Sequence, residues 1–371
     1  MDKKVILFLL NNEVSSLPPL MAMLDCLCKD YSLKVISCEK PGGKDRLESM
    51  YQGRDVHFLS NTVKEECLSI YQRVRRKIRR ILNVSSRWHK EASLLLQQAA
   101  YDVLWIAHEN AAIEFKSDLM GKEYIMNIFE LYDAYPVFLK NLKPIAQRAR
   151  TVIVPEYNRA CMLKYWLDLK DIPTVVPNKP FTHPRVKRID NEWAAQLAGK
   201  KVLLYQGYLN SNRNIDSICE AINSMPEWIV VLLGKGEKQY ISHIENDYPN
   251  VLHLEFIQPP HHLDVTSWAR IGVVKYDWYD LNHAYCAPNK IWEYAGFGIP
   301  MIGNELPGLR YTVGNAKAAV LADMDNVEDI KNAVLEIDKN YEYFSTNALT
   351  FYDSCNIDSL LKDVLRKEFV G

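Results

Sequence analysis

The residues best placed to do chemistry lie in the run Tyr285-Cys-Ala-Pro-Asn-Lys-Ile-Trp-Glu-Tyr294, which leads into Gly296-Phe-Gly-Ile-Pro-Met-Ile302. Pro288 suits the first position of a helix, because its ring presets the helical φ. The N–H groups of Asn289 and Lys290 then point out of the helix start, where the backbone dipole favours an anion. Lys290 adds a full positive charge. Glu293 lies one turn deeper, and a carboxylate there can accept two hydrogen bonds from vicinal hydroxyls such as those of a ribose. Phosphate at the helix tip and ribose one turn below would suit a nucleoside diphosphate. The same residues also fit an ordinary Pro-started helix with a solvated Glu.

A second stretch offers charge. Residues 71–90 contain Arg73, Arg75, Arg76, Lys77, Arg79, Arg80, Arg87 and Lys90 and no acid. Ile70, Tyr71, Val74, Ile78, Ile81 and Leu82 recur at helical spacing, with Trp88 beyond. A basic amphipathic helix of this kind suits an anionic membrane surface or a pyrophosphate-linked acceptor, with Arg75, Arg76, Arg79, Arg80 and Trp88 facing it. A solvated helix face and nucleic acid are the other readings. Asp323-Met-Asp325 has the letters of a metal-binding DxD motif but follows a late strand, so no divalent metal is expected.

These residues need elements to hold them. Apolar runs at 5–10, 33–38, 103–107, 124–128 and 151–154 are short and bounded by polar residues or helical patterns, as in a parallel sheet buried on both faces. From 178 to 199 the pattern is irregular, and at Lys200 a second series begins: strands at 202–205, 228–233, 251–256, 271–275, 300–303 and 319–321, with helical segments between. The reading is α/β: an N-terminal Rossmann-like domain over 1–180, a linker at 181–199, a second Rossmann-like domain over 200–355, and a final amphipathic helix within 356–371 packing back on the first domain. Ligands of such folds bind at the carboxyl ends of the strands. That places Asn11, Asn12 and Glu13 after the first strand, His108 after 103–107 and Glu130 after 124–128 in a binding region. A plain turn at Asn11–Glu13 fits equally well, and Glu156 and Arg159 read as an internal ion pair.

The segment Ala287-Pro-Asn-Lys-Ile-Trp-Glu-Tyr-Ala-Gly-Phe-Gly-Ile-Pro300 resembles the donor-site signature of GT-B glycosyltransferases, especially the retaining family-4 type of bacterial polysaccharide assembly. The resemblance extends to Tyr205-Gln-Gly-Tyr-Leu-Asn-Ser-Asn-Arg-Asn-Ile-Asp216, to Gly234-Lys-Gly236 and to Thr266-Ser-Trp-Ala-Arg-Ile-Gly272, and more loosely to Pro155-Glu-Tyr-Asn-Arg-Ala160 and Val176-Pro-Asn-Lys-Pro180. It implies the GT-B fold, two Rossmann-like domains facing across a cleft, and transfer of a sugar from a nucleotide-diphosphate donor to a saccharide or lipid-linked acceptor. The donor-binding set it implies is Gly207, Arg213, Lys235, Ile257, Tyr285, Ala287, Pro288, Asn289, Lys290 and Glu293. Catalytic roles fall to His108, Glu130, Arg213 and Lys290, and acceptor binding to Asn11, Asn12 and Glu13. Where the family often has an acid eight positions before the ribose Glu, this chain has Tyr285.

The totals set outer limits. With 371 residues, 48% hydrophobic and 25% charged, the chain is long enough for two cores. A net charge of −1 gives no global pull toward nucleic acid. Eight scattered cysteines lack zinc-like spacing and read as reduced thiols. Residues 5–10 are too short an apolar run for a signal segment and no stretch matches a membrane helix. The expected place is the cytoplasm, with peripheral attachment to the inner face of the cell membrane. Apart from its nucleotide-sugar co-substrate, no cofactor is expected. Two other functions compete: a nucleotide-sugar 2-epimerase of the same fold, and a catalytically silent scaffold or sugar-binding subunit.

Overall fold

The computed structural model describes residues 3–61, 86–188 and 193–369; Arg75, Arg76, Arg79 and Arg80 lie outside them. The chain forms two compact units, one of Met1–Pro177 with Ile357–Gly371 and one of Asn178–Asn356. Residues 181–188 and 193–199 thus fall within the second unit.

The first unit holds seven strands: β1 (Val5–Leu9), β2 (Ser32–Ile36), β3 (Val56–Phe58), β4 (Val103–Ile106), β5 (Ile125–Asn127), β6 (Thr151–Val154) and β7 (Thr174–Val175). They pair in parallel in the order β3-β2-β1-β4-β5-β6-β7. Helices cover both faces of such a sheet, so its central strands have no polar side. Ile6, Leu7, Phe8 and Leu9 are all fully buried, and Trp105 of β4 satisfies its indole N–H on Asn127 Oδ1 at 2.8 Å. The last helix, Ile357–Phe369, belongs to this unit: Cys26 Sγ donates to Asp358, and Lys362 pairs with Asp30 at 3.0 Å.

The second unit repeats the plan with β8 (Lys201–Gln206), β9 (Trp228–Leu233), β10 (Val251–Leu254), β11 (Ile271–Val274), β12 (Met301–Asn304) and β13 (Ala319–Ala322), in the order β10-β9-β8-β11-β12-β13. In each unit the strand order reverses once, between β1 and β4 and between β8 and β11. Loops diverge at such a point and leave a crevice beyond the strand ends, where ligands of doubly wound sheets bind. One helix there matters most, Lys290–Gly296. It is fixed to the sheet by Tyr294, whose hydroxyl donates to Leu204 O at 3.1 Å and whose ring takes the space where a Cβ on Gly272 of β11 would fall, 2.4 Å away. Trp292 stacks on Phe351 at 4.3 Å on the other side.

Candidate active site

In the second unit, the end of β8 and the helix His262–Thr266 converge on Glu293. Gln206, at the end of β8, donates Nε2–H to Glu293 Oε2 at 2.6 Å. His262 Nε2 lies 3.2 Å from Oε1. Thr266, fully buried, donates to Gln206 Oε1 at 2.7 Å and so fixes which way the amide faces. Burial alone would raise the Glu293 carboxyl, but His262 beside it, the Gln206 bond and the Lys290 charge together hold it below the usual carboxylate value. The result is an ionised, pre-oriented carboxylate that remains 13% exposed. A group so arranged accepts hydrogen bonds from neighbouring hydroxyls without having to move.

Lys290, three residues earlier on the same helix, donates Nζ–H to Gln206 O at 2.7 Å. The Tyr276 ring lies 5.4 Å from Lys290 Nζ and 5.3 Å from the Arg213 guanidinium, so two cations flank one aromatic ring. Among the described residues no carboxylate comes within ion-pair distance of either cation. Burial, and then the repulsion of Arg213, push Lys290 down to about 8. Uncompensated positive charge at the ends of β8 and β11 is what a diphosphate would neutralise. Gly207 gives it backbone access. It has φ +148°, and the neighbouring Gly234, φ +151°, approaches so closely that a Cβ would sit 1.9 Å from Gly207 O. Leu209 and Lys235 continue that contact by a backbone bond of 2.8 Å.

The helix begins later than the sequence implies. Pro288 stands ahead of it, Asn289 is its N-cap with no side-chain cap bond, and Lys290 is the first helical residue. The reason is that Ala287 O is taken by Asn178 Nδ2–H at 2.9 Å, which holds the preceding loop away from helical geometry. Tyr285 closes the short turn Leu281–Ala284, its N–H on Leu281 O at 2.9 Å. Ile257 is half-buried against the core, whereas the exposed Lys235 lies over the Phe256 ring at 4.7 Å.

The first unit places its candidates at its own strand ends. His108 caps the helix Glu109–Glu114 by accepting Asn110 N–H on Nδ1 at 3.1 Å, which leaves the ring hydrogen on Nε2. Its neighbour Glu109, fully buried, accepts the amides of Phe129 and Glu130 and so fixes the loop after β5. Glu130 itself is 47% exposed and paired with Arg159 at 3.6 Å. Glu156 caps the helix Tyr157–Trp166 through Arg159 N–H, and the Arg159 guanidinium also reaches Phe129 O. Asn11 donates to Glu114 at 3.0 Å, Asn12 O accepts from Cys38 N–H, and Glu13 pairs with Lys40 at 3.0 Å.

Trp88 corrects the reading of a membrane-facing surface. It is buried, donates its indole N–H to Ser37 O at 2.9 Å, and meets Phe115 edge-on. Its apolar bulk serves the core of the first unit, so it is no part of a lipid-facing stripe.

Several site residues carry no signal in sequence. Gln206 and Thr266 occur within matched motifs but have no assigned role there, and His262 and Tyr276 lie outside any motif. His183 is the most distant: its Nδ1 accepts Arg185 N–H, so Nε2 carries the hydrogen and donates it to Glu293 O at 2.9 Å. Burial pushes that imidazole down to about 4, in keeping with a neutral structural ring. Among the described residues, no three His, Cys, Asp or Glu side chains group as metal ligands, and no helix is long and apolar enough to cross a membrane.

Two parallel Rossmann-like sheets, with a charged site at the carboxyl ends of the second, define the GT-B fold. Known structures of similar shape include Anabaena HepE in complex with UDP and glucose, with TM-score 0.72, 11% identity, and 97% of this chain and 98% of that one covered. Sucrose-phosphate synthase from Thermosynechococcus elongatus is similar at TM-score 0.69 and 14% identity, over 99% and 100% of the two chains. The E. coli trehalose-6-phosphate protein bound with UDP-2-fluoro glucose follows at TM-score 0.65 and 12% identity, with 98% of each covered. At these identities the likeness is one of fold. No protein-family model matches the chain, and no curated protein matches it.

Proposed function

We propose that the protein is a glycosyltransferase that uses a UDP-linked sugar donor. The observation that carries this is the pairing, on one short helix, of an ionised Glu293 held by His262 and Gln206 with a cation, Lys290, that shares Tyr276 with Arg213. Glu293 takes the ribose hydroxyls, and Lys290 and Arg213 take the diphosphate. When the bond between sugar C1 and phosphate oxygen breaks, its electron pair stays on the diphosphate, and the two cations stabilise that charge without a divalent metal. Similar folds bound to UDP, to UDP-glucose and to UDP-2-fluoro glucose favour uracil as the base. The acceptor is a saccharide or lipid-linked saccharide of polysaccharide assembly, met at an anionic membrane surface by Arg75, Arg76, Arg79 and Arg80, and transfer retains configuration.

Calorimetric titration with UDP, GDP, ADP and CMP, in EDTA, tests the reading: UDP should bind most tightly, and absence of binding by all four sinks it. Lys290 adds a pH signature. Its charge in the free protein is lost as pH rises through about 8, whereas bound diphosphate favours the charged form. UDP affinity should therefore fall above pH 8, with proton uptake on binding, seen as a dependence of the heat on buffer ionisation enthalpy. A flat profile would remove Lys290 from the phosphate site.

A further inference from the structure

The loop after β11 holds a second constellation that the diphosphate site does not use. Tyr279 Oη lies 2.7 Å from His283 Nε2, and His283 Nδ1 lies 2.6 Å from Asp280 Oδ1. An ionised carboxylate only accepts, so Nδ1 carries the ring hydrogen, Nε2 keeps its lone pair, and the Tyr279 hydroxyl donates to it. The order is hydroxyl, base, orienting acid, as in activated hydroxyl groups of many active sites. The turn does not need it. Asp280 already caps Leu281–Ala284 by accepting His283 N–H at 2.7 Å, with no help from either ring.

Placement supports a use. The Tyr276 ring that touches both phosphate cations also lies 6.4 Å from the His283 ring, so the constellation is one aromatic ring away from Arg213 and Lys290. His283 and Asp280 are largely covered, whereas Tyr279 is 67% exposed beside an exposed Trp278. The hydroxyl is thus the end of the relay that a second substrate can reach. The groups acting on it are few: burial and the negative charges of Asp280 and Asp277 raise the Tyr279 hydroxyl above its usual value, and Arg213 opposes them. Tyr279 therefore stays protonated at neutral pH and gives up its proton only in concert with gaining another.

We propose that Tyr279, His283 and Asp280 form a proton relay that accepts the proton of the attacking hydroxyl during sugar transfer. The inference rests on the donor-site reading above. As the acceptor oxygen bonds to sugar C1 on the face that the phosphate leaves, which keeps the configuration, the bond from C1 to phosphate oxygen breaks and its electrons leave with the UDP. The acceptor proton passes to Tyr279 Oη while the Tyr279 proton passes to His283 Nε2, giving an imidazolium paired with Asp280. His283 then loses that proton to water, and the relay is restored. Tyr279 touches the substrate; His283 and Asp280 act through it.

Two probes are used with the full chain: UDP in calorimetry, and UDP release from UDP-glucose, UDP-galactose and UDP-N-acetylglucosamine with water as acceptor. Tyr279→Phe and His283→Gln should bind UDP within about twofold of wild type, yet release it at least about 100-fold more slowly, the lower range for proton-transfer catalysis. Asp280→Asn should fall between. The loss should fall on kcat and leave KM for the donor within about twofold. Unchanged release in the variants, a loss confined to KM, or UDP binding without release from any of the three donors would each overturn the relay. Wild type that fails to bind UDP defeats the donor-site reading, and the relay with it.

Discussion

Glu293→Gln is expected to weaken UDP binding by at least about 100-fold while the protein stays folded. The carboxylate accepts from Gln206 and pairs with His262, and its remaining lone pairs are those offered to ribose. Hydrogen bonds to a charged acceptor contribute about 1.5–3 kcal/mol each, so losing two is worth roughly two orders of magnitude or more. Glutamine keeps the size of the side chain but turns one acceptor into a donor that faces other donors. Calorimetry with UDP reads the change, and thermal unfolding checks that the fold survives. An affinity within threefold of wild type would mean that Glu293 serves only the internal network.

Lys275→Met should lower the stability of the second unit by about 3 kcal/mol, the lower end for breaking a buried ion pair, because Asp325 keeps contact with solvent. Lys275 is fully buried at the end of β11. Its ammonium donates to Met324 O at 2.8 Å, Asn214 O at 3.1 Å and Asp325 Oδ1 at 2.6 Å. Methionine matches the stem but leaves those oxygens one donor short, with Ser217 and Asn214 as the remaining donors. For a domain of this size the shift is about 6–12 °C in Tm. A further effect follows on binding. Asn214 stands at φ +42° next to Arg213, and Arg213 donates to Lys275 O, so loosening Lys275 frees the turn that aims the guanidinium. A variant that melts like wild type would show that the loop repacks around the missing charge.

Much of the fold is legible because burial on both faces writes itself as apolar runs. Strands 151–154 and 228–233 appear at their observed bounds, the last helix lies inside the stretch read for it, and other central strands shift by one or two residues at their ends. Val56–Phe58 and Thr174–Val175 have no run to announce them: they are short edge strands fixed by pairing with β2 and β6. The site divides in the same manner. Lys290 and Glu293 are three apart on one helix, a local relation that sequence records. His262, Gln206 and Tyr276 meet them only through the order β10-β9-β8-β11, a relation no spacing contains. Trp88 misled for a related reason: an aromatic beside a basic run resembles an interfacial anchor until its indole N–H finds Ser37 O.

The chain leaves the first unit after Pro177 and returns to it after Asn356. The second unit is thus one unbroken run, while the first waits for a helix made after it. Leu361, Val364 and Leu365 of that helix are fully buried, so the surface that receives them stays bare throughout translation of the second unit. Domains usually mature in the order in which they leave the ribosome. Here the later-made half can finish first, and the earlier half is sealed only after the second unit has been made. A stop codon after Asn356 would therefore harm the part of the protein furthest from it in sequence.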